Sequence, residues 1–190
     1  MRLENALIAR ICHDLITPFN AINLGIEAYE ASGDASLLLH MKESAAKANT
    51  ILKFMREMYS EKSDAFRHSL ISLNSLIADF LRNSGLLVDL KFDGDDIPHV
   101  IAQVILHNVA VAKESMPFGG TIRCHISKDF SEITLSCVGK DISAPDLNLC
   151  SEPNHKNVML HNLMRLLGEN GWQLNIFLQG VDMFISEKKR

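Results

Sequence analysis

Between residues 3 and 62 the chain carries two long runs of apolar side chains at helical spacing and one break, Ser32-Gly33-Asp34. In the second run Leu38, Met41, Ala45, Ala48, Leu52, Met55 and Tyr59 recur at steps of three and four, a heptad-like seam. In the first run Ile11, Leu15, Ile22 and Ile26 recur the same way, with Phe19 beside them. Gly33 suits a helix C-terminus, and Asp34 or Ser36 suits the cap of the next helix. The segment therefore reads as a helical hairpin. Two amphipathic helices enclose too little core alone, so the hairpin is expected to pair with a second copy as a dimeric four-helix bundle.

From residue 64 the texture changes. LNSLIADFLRNSG predicts a helix ending at Gly85, and LLVDLKF a strand that stops at an Asp-Gly turn. Pro98 is expected to open the helix HVIAQVILHNVAVAKES, which ends at the Met116 to Gly120 turn. TIRCHISK and SEITLSCV alternate like two strands, HKNVMLHNLMRLLGEN is helical, and WQLNIFLQ and VDMFISE close the sheet. The terminal EKKR reads as a solvated tail. The expected fold class is α+β. Residues 1–63 form the helical-hairpin domain, and residues 64–190 form an α/β sandwich with helices on one face of a mostly antiparallel sheet.

Composition narrows the function. With 47% hydrophobic and 22% charged residues, the 190-residue chain reads as a globular protein. A net charge of −4 with mixed signs gives no basic face for nucleic acid. Cys12, Cys124, Cys137 and Cys150 lack zinc-like spacing and read as small apolar residues of a reducing compartment. VIAQVILHNVAVA is too short and too interrupted to span a membrane, and MRLENALIARICHD has no signal-peptide core. The expected location is cytoplasmic.

One residue departs from the apolar stripe. On a helix turning ~100° per residue, Ile11, Leu15, Phe19, Ile22 and Ile26 fall within ~80°, and His13 lies roughly 160° from their centre. Thr17, Asn20 and Leu24 share its meridian. Pro18 then removes the hydrogen bond to the Asp14 carbonyl, at a cost of ~3 kcal/mol in a helix interior. That cost beside a His-Asp pair points either to a distortion that serves a site, with the proline at its floor, or to a kink that a dimer interface merely tolerates. A solvent-facing imidazole is a competent phosphoryl carrier near neutral pH. A neighbouring carboxylate such as Asp14 can fix its tautomer, and the Thr17 hydroxyl can orient a water or a phosphate oxygen.

His13-Asp14-Leu15-Ile16-Thr17-Pro18, followed by Ala21-Ile22, resembles the H-box of two-component histidine kinases and related dimeric phosphotransferases. With ICHDLITP and the short C-terminal half, the chain looks most similar to the ChpT-type histidine phosphotransferases of alphaproteobacteria. The resemblance implies a hairpin for dimerisation and phosphotransfer, and a C-terminal half laid out like a degenerate histidine-kinase ATP-binding domain. Val111 stands where a kinase places its metal-binding asparagine, GKDISAPD replaces the DxGxG adenine loop, and SEPNHKNVML replaces the glycine-rich phosphate loop. Exposed backbone amides of such glycines cradle phosphates, and valine cannot ligate Mg²⁺.

The resemblance thus implies a phosphorelay phosphotransferase with His13, Asp14 and Thr17 as its catalytic set. His13 takes a phosphoryl group from the aspartyl-phosphate of a hybrid-kinase receiver domain and passes it to a response-regulator receiver. Ile16, Asn20 and Leu24 are the expected receiver contacts. No cofactor is expected on this chain, Mg²⁺ being supplied by the receiver. Phosphatase activity through Thr17 is compatible with this set. Two other classes stay open, an ATP-dependent histidine kinase with a divergent pocket and a non-catalytic dimeric adaptor that binds receivers. His107, His125, His155 and His161 show no HxxxH or HxH spacing, so no metal site is expected there. Asp93, Asp95 and Asp96 lack the glutamate that would complete a calcium loop and read as a polar turn.

Overall fold

Gly33 ends the first helix in the left-handed region, at φ 68°, and its N–H donates to the Tyr29 carbonyl at 2.7 Å. The structure is a computed structural model that describes residues 2–63, 65–145, 152–179 and 182–189. Cys150, and parts of the two stretches compared with nucleotide loops (Asp146 and Ser151), lie outside the described residues. Helix α1 runs Leu3–Ser32 and α2 runs Leu37–Tyr59. Of the two candidate caps Asp34 makes the bond: its Oδ1 accepts from the Ser36 N–H at 2.9 Å, whereas Ser36 has no side-chain cap bond. Pro18 leaves the Asp14 carbonyl without its helical donor, yet α1 continues through it unbroken and the ring is buried.

The C-terminal half of α2 leaves the hairpin and enters the core of the α/β part. Phe54, Met55 and Met58 are all buried in one cluster with the α/β residues that follow. Phe54 stacks on Phe80 at a 3.7 Å centroid separation and 10° between planes. Phe80 lies on α3, Leu70–Leu81. Ser69 caps this helix by accepting from the Ser72 N–H at 3.2 Å, so α3 begins three residues before the expected start at Leu73.

The five-stranded sheet takes the order β2-β4-β5-β7-β6, with strands Leu86–Lys91 (β2), Gly120–Ile126 (β4), Glu132–Gly139 (β5), Trp172–Gln179 (β6) and Asp182–Lys189 (β7). Only the β2–β4 pair is parallel; the other pairs are antiparallel. Along β4, β5 and β7 alternate residues are buried: Ile122, Cys124 and Ile126, then Ile133, Leu135 and Cys137, then Met183, Ile185 and Glu187. That period of two turns one face toward the helices. Over this face lies α4, His99–Ser115, buried on nearly every side among α2, α3, the sheet and α5, Val158–Glu169. The α+β architecture expected from the residue pattern is the one observed.

Three local readings need correction. Arg67–Ser69 (β1) and Asp96–Pro98 (β3) form a two-stranded antiparallel ladder that three-residue segments cannot announce by periodicity. Pro98 ends β3 and stands at the N-cap of α4, which runs His99–Ser115 as expected. The residues read as a tail continue β7 to Lys189, because Glu187 and Lys188 pair with Ile133 and Glu132 of β5. Glu187 is fully buried, and its Oε1 accepts a hydrogen bond from Asn108 Nδ2 at 2.8 Å. Finally, α5 begins at Val158, not His155.

Exposed apolar side chains of α1 sort into two faces. Ile8, Phe19 and Ile26 lie within ~20° of one another and ~130° from His13 on a ~100°-per-residue helix. Ile16 and Leu24 lie on the His13 side. On α2, Leu38, Ala45 and Leu52 are likewise exposed at steps of seven.

Two outcomes test this packing. Phe54→Ala should cost about 3–5 kcal/mol in urea unfolding. Because one core spans both regions, far-UV dichroism and the fluorescence of Trp172, the single tryptophan, should unfold together; separate transitions would show two independent units. The second concerns Glu187, whose carboxyl burial pushes up from its ordinary 4.5 to about 8. A raised carboxyl stabilises the fold below the unfolded value and loses that stabilisation as pH rises through the folded one. His107, pushed down by burial to about 4, opposes this trend only below its ordinary 6.5. Between pH 6.5 and 8 the wild type should therefore lose about 2 kcal/mol, and Glu187→Gln should flatten that slope.

Candidate functional site

The first half of α1 carries the site. His13 projects from α1 with 67% of its side chain exposed. Its Nδ1 lies 3.1 Å from Asp14 Oδ1. A carboxylate only accepts, so Nδ1 carries the hydrogen and Nε2 keeps the lone pair. Asp14 is fixed in turn by Arg10, whose Nε donates to Asp14 Oδ2 at 2.8 Å across one helical turn.

Arg10 also ties α1 to the α/β part. Its Nη1 lies 2.6 Å from Glu114 Oε1 on α4 and donates to the His155 carbonyl at 3.2 Å. The His155 ring stands 5.8 Å from that of His13, tilted by 33°. A cleft of about 320 Å³ opens beside the imidazole, with Arg10, Asp14, Thr17, Lys47, Lys113 and Glu114 in its wall. Burial pushes the Lys113 ammonium down and the Glu114 carboxyl up from their ordinary values. Lys113 Nζ lies 3.9 Å over the Phe80 ring, which steadies the cation in that apolar setting.

The structure brings His13, Asp14 and Thr17 to one cleft. It leaves Ile16 (57%), Asn20 and Leu24 (65%) exposed along the same stripe of α1. Pro18 does not floor the site; it is buried and absent from the cleft wall. Sequence reading missed Arg10, Lys113, Glu114 and the approach of His155. The Arg10–Asp14 spacing of four was a legible signal. The others arrive through tertiary packing of the α4 C-terminus and the stretch before α5.

Val111 and the α4 residues near it are turned inward. Val111 is buried, and Asn108 is fully buried with its Nδ2 given to Glu187. His107 donates through Nδ1 to the Gln103 carbonyl at 2.8 Å and sits edge-on to Tyr59.

The fold is one that solved structures share. A solved bacterial phosphotransferase superposes with a TM-score of 0.84 at 21% identity, covering 98% of this chain and 95% of that one. The Acinetobacter baumannii histidine kinase AdeS superposes at 0.54 with 12% identity, over 93% of this chain and 96% of its own. At those identities the likeness is one of fold. In sequence the chain is similar to the protein phosphotransferase ChpT of Brucella abortus (strain 2308), 27% identical over 120 residues. That match takes in 61% of this chain and 56% of the relative's length. No protein-family model matches the chain. No helix among the described residues is long and apolar enough to cross a membrane.

Removing the strap checks the geometry. Arg10→Ala leaves the Asp14 and Glu114 carboxylates facing one cleft without their cation and should cost about 1–2 kcal/mol, part of it restored by Arg10→Lys. Urea unfolding at neutral pH measures both.

Proposed function

We propose that this chain is a histidine phosphotransferase that moves a phosphoryl group between receiver-domain aspartates through His13. The observation that carries the proposal is the exposed imidazole whose Nδ1 hydrogen is held by Asp14, leaving Nε2 as nucleophile. The Nε2 lone pair attacks the phosphorus of an aspartyl-phosphate. As the N–P bond forms, the P–O bond breaks and its electron pair leaves on the donor carboxylate. The imidazolium produced keeps its Nδ1 proton on the Asp14 carboxylate, which offsets the new positive charge. A second aspartate reverses the step and takes the phosphoryl group away. Mg²⁺ bound by the receiver would supply charge neutralisation at the phosphoryl oxygens.

Ile16, Asn20 and Leu24 present the docking stripe beside His13, and Thr17 offers its hydroxyl to a phosphoryl oxygen or a water. The opposite exposed face of α1, Ile8, Phe19 and Ile26, together with Leu38, Ala45 and Leu52 of α2, is the face a second copy would cover as a four-helix bundle. That arrangement keeps the transfer face free in the dimer. The inward use of Asn108 and Val111 favours a relay without ATP over a kinase. A reading as adaptor alone gives the Asp14 contact no chemical task. A cytoplasmic setting follows from the receiver partners.

The test mixes the protein with a phosphorylated receiver domain and no ATP. Acid-labile, base-stable label should appear on His13 and move on to a second receiver. His13→Ala should lose all transfer while its dichroism and light-scattering mass match wild type. Transfer that persists in His13→Ala would return the protein to the adaptor class, and labelling of His13 by Mg-ATP alone would make it a kinase.

A further inference from the structure

Well away from the His13 stripe, three side chains from three elements converge with their donor atoms together. Among the described residues they are the one group of three or more His, Cys, Asp or Glu side chains placed to hold a metal ion. Glu57 lies in the last turn of α2, His68 in β1, and His99 is the first residue of α4. His68 Nε2 is 2.8 Å from His99 Nδ1 and 3.3 Å from Glu57 Oε1, and His99 Nδ1 is 3.9 Å from that same oxygen. Bonds of ~2.05 Å to a tetrahedral Zn²⁺ place neighbouring ligand atoms ~3.3 Å apart. The three observed separations straddle that value.

We infer that Glu57, His68 and His99 form a binding site for a divalent transition metal of the zinc type, which clamps the base of the hairpin to the α/β core. The groups around the triad fit the role. His99 Nε2 donates to the Ser60 carbonyl at 2.8 Å, which leaves Nδ1 with its lone pair toward Glu57 and His68. A metal-ligating histidine uses its second nitrogen in the same way. Gln103 Nε2 holds the same carbonyl at 2.9 Å, so the support is itself fixed. The β1–β3 ladder sets His68 opposite Ile97, two residues before His99, and both imidazoles are buried. Beside His99 a cleft of about 480 Å³ opens, with Ser60, Lys62 and Gln103 in its wall.

Two local changes accompany binding. The metal takes the place of the hydrogen shared by the two imidazoles, so His68 shifts its proton from Nε2 to Nδ1 and the rings part by about half an ångström. Lys62, whose ammonium contacts the Glu57 carboxylate and lies 4.0 Å over the Phe66 ring, gives up its ion pair to the stronger charge. Lys62 is thus a built-in competitor. Its removal should tighten the site, which a purely structural His-His-Glu cluster would not predict.

The experiment uses the full chain, stripped with a chelator and titrated with Zn²⁺ or Co²⁺ alone. One equivalent should bind per chain, Co²⁺ should give the visible absorption of a tetrahedral site, and X-ray absorption should find only N/O ligands at ~2.0–2.1 Å. At a hundredfold excess over Kd, Zn²⁺ should raise Tm by roughly 5–10 °C. Glu57→Gln and His99→Ala should each weaken binding by roughly a hundredfold. Should His99→Ala fail to fold, the partly exposed Glu57 position still decides the matter. Lys62→Met should bind more tightly than wild type. His13→Ala, which removes the other close histidine pair, should bind normally. Failure of the wild type to take up one equivalent, uptake unchanged in Glu57→Gln, or uptake lost in His13→Ala would each overturn the assignment. None of these readouts depends on phosphotransfer.

Discussion

The arrangement depends on one helix belonging both to the hairpin and to the core of the α/β part. An isolated hairpin of two helices is marginal in water, since helix propensity contributes little without a packed face. The C-terminal half of α2 supplies that face, burying Phe54, Met55 and Met58 among α3, α4 and the sheet, with Phe54 stacked on Phe80. Once α2 is fixed at its base, α1 is fixed through the hairpin seam. Arg10 adds the second tie, from Asp14 of α1 to Glu114 of α4. The orientation of His13 thus follows from burial some forty residues further along the chain.

Charge is divided unevenly around that histidine. Asp14 is largely covered and Glu114 and Lys113 are partly covered, whereas the imidazole remains open. Burial pushes the Glu114 carboxyl up and the Lys113 ammonium down, while the Arg10 guanidinium bridges the Asp14 and Glu114 carboxylates. The open ring therefore sits on a rigid, nearly balanced base instead of among mobile surface charges. A nucleophile held this way loses little freedom when a large partner docks, and positioning is most of what phosphoryl transfer asks of a protein.

Much of this was legible in the sequence because long periodic segments declare themselves. The two hairpin helices, the 17-residue α4 and the five strands of the main sheet all show their apolar period, and the His13 stripe followed from counting around α1. Period fails where segments are short, and β1 and β3 have three residues each. It also fails where composition misleads. Glu187 stands in a charged run and reads as tail, yet its alternation with Met183 and Ile185 places it on the buried face, opposite Asn108. Lys113, Glu114 and His155 reach the cleft through helix packing, and no local pattern reports that. Glu57, His68 and His99 meet across a ladder invisible to motif spacing.

The interior of the α/β part bears on what that part is for. Here α4 spends Asn108 on Glu187, His107 on its own Gln103 carbonyl, and Val111 on the core. Polar groups committed to internal partners rigidify a domain, because breaking such a pair leaves a buried group unsatisfied. The two ends of α4 meet other parts of the chain. Its C-terminal turn carries Lys113 and Glu114 to the His13 cleft, and its first residue, His99, joins Glu57 and His68 at the foot of the hairpin. A helix rigid along its length and engaged at both ends behaves as a strut. The α/β part thereby helps to hold α1, and with it the imidazole, through the Arg10 tie to Glu114.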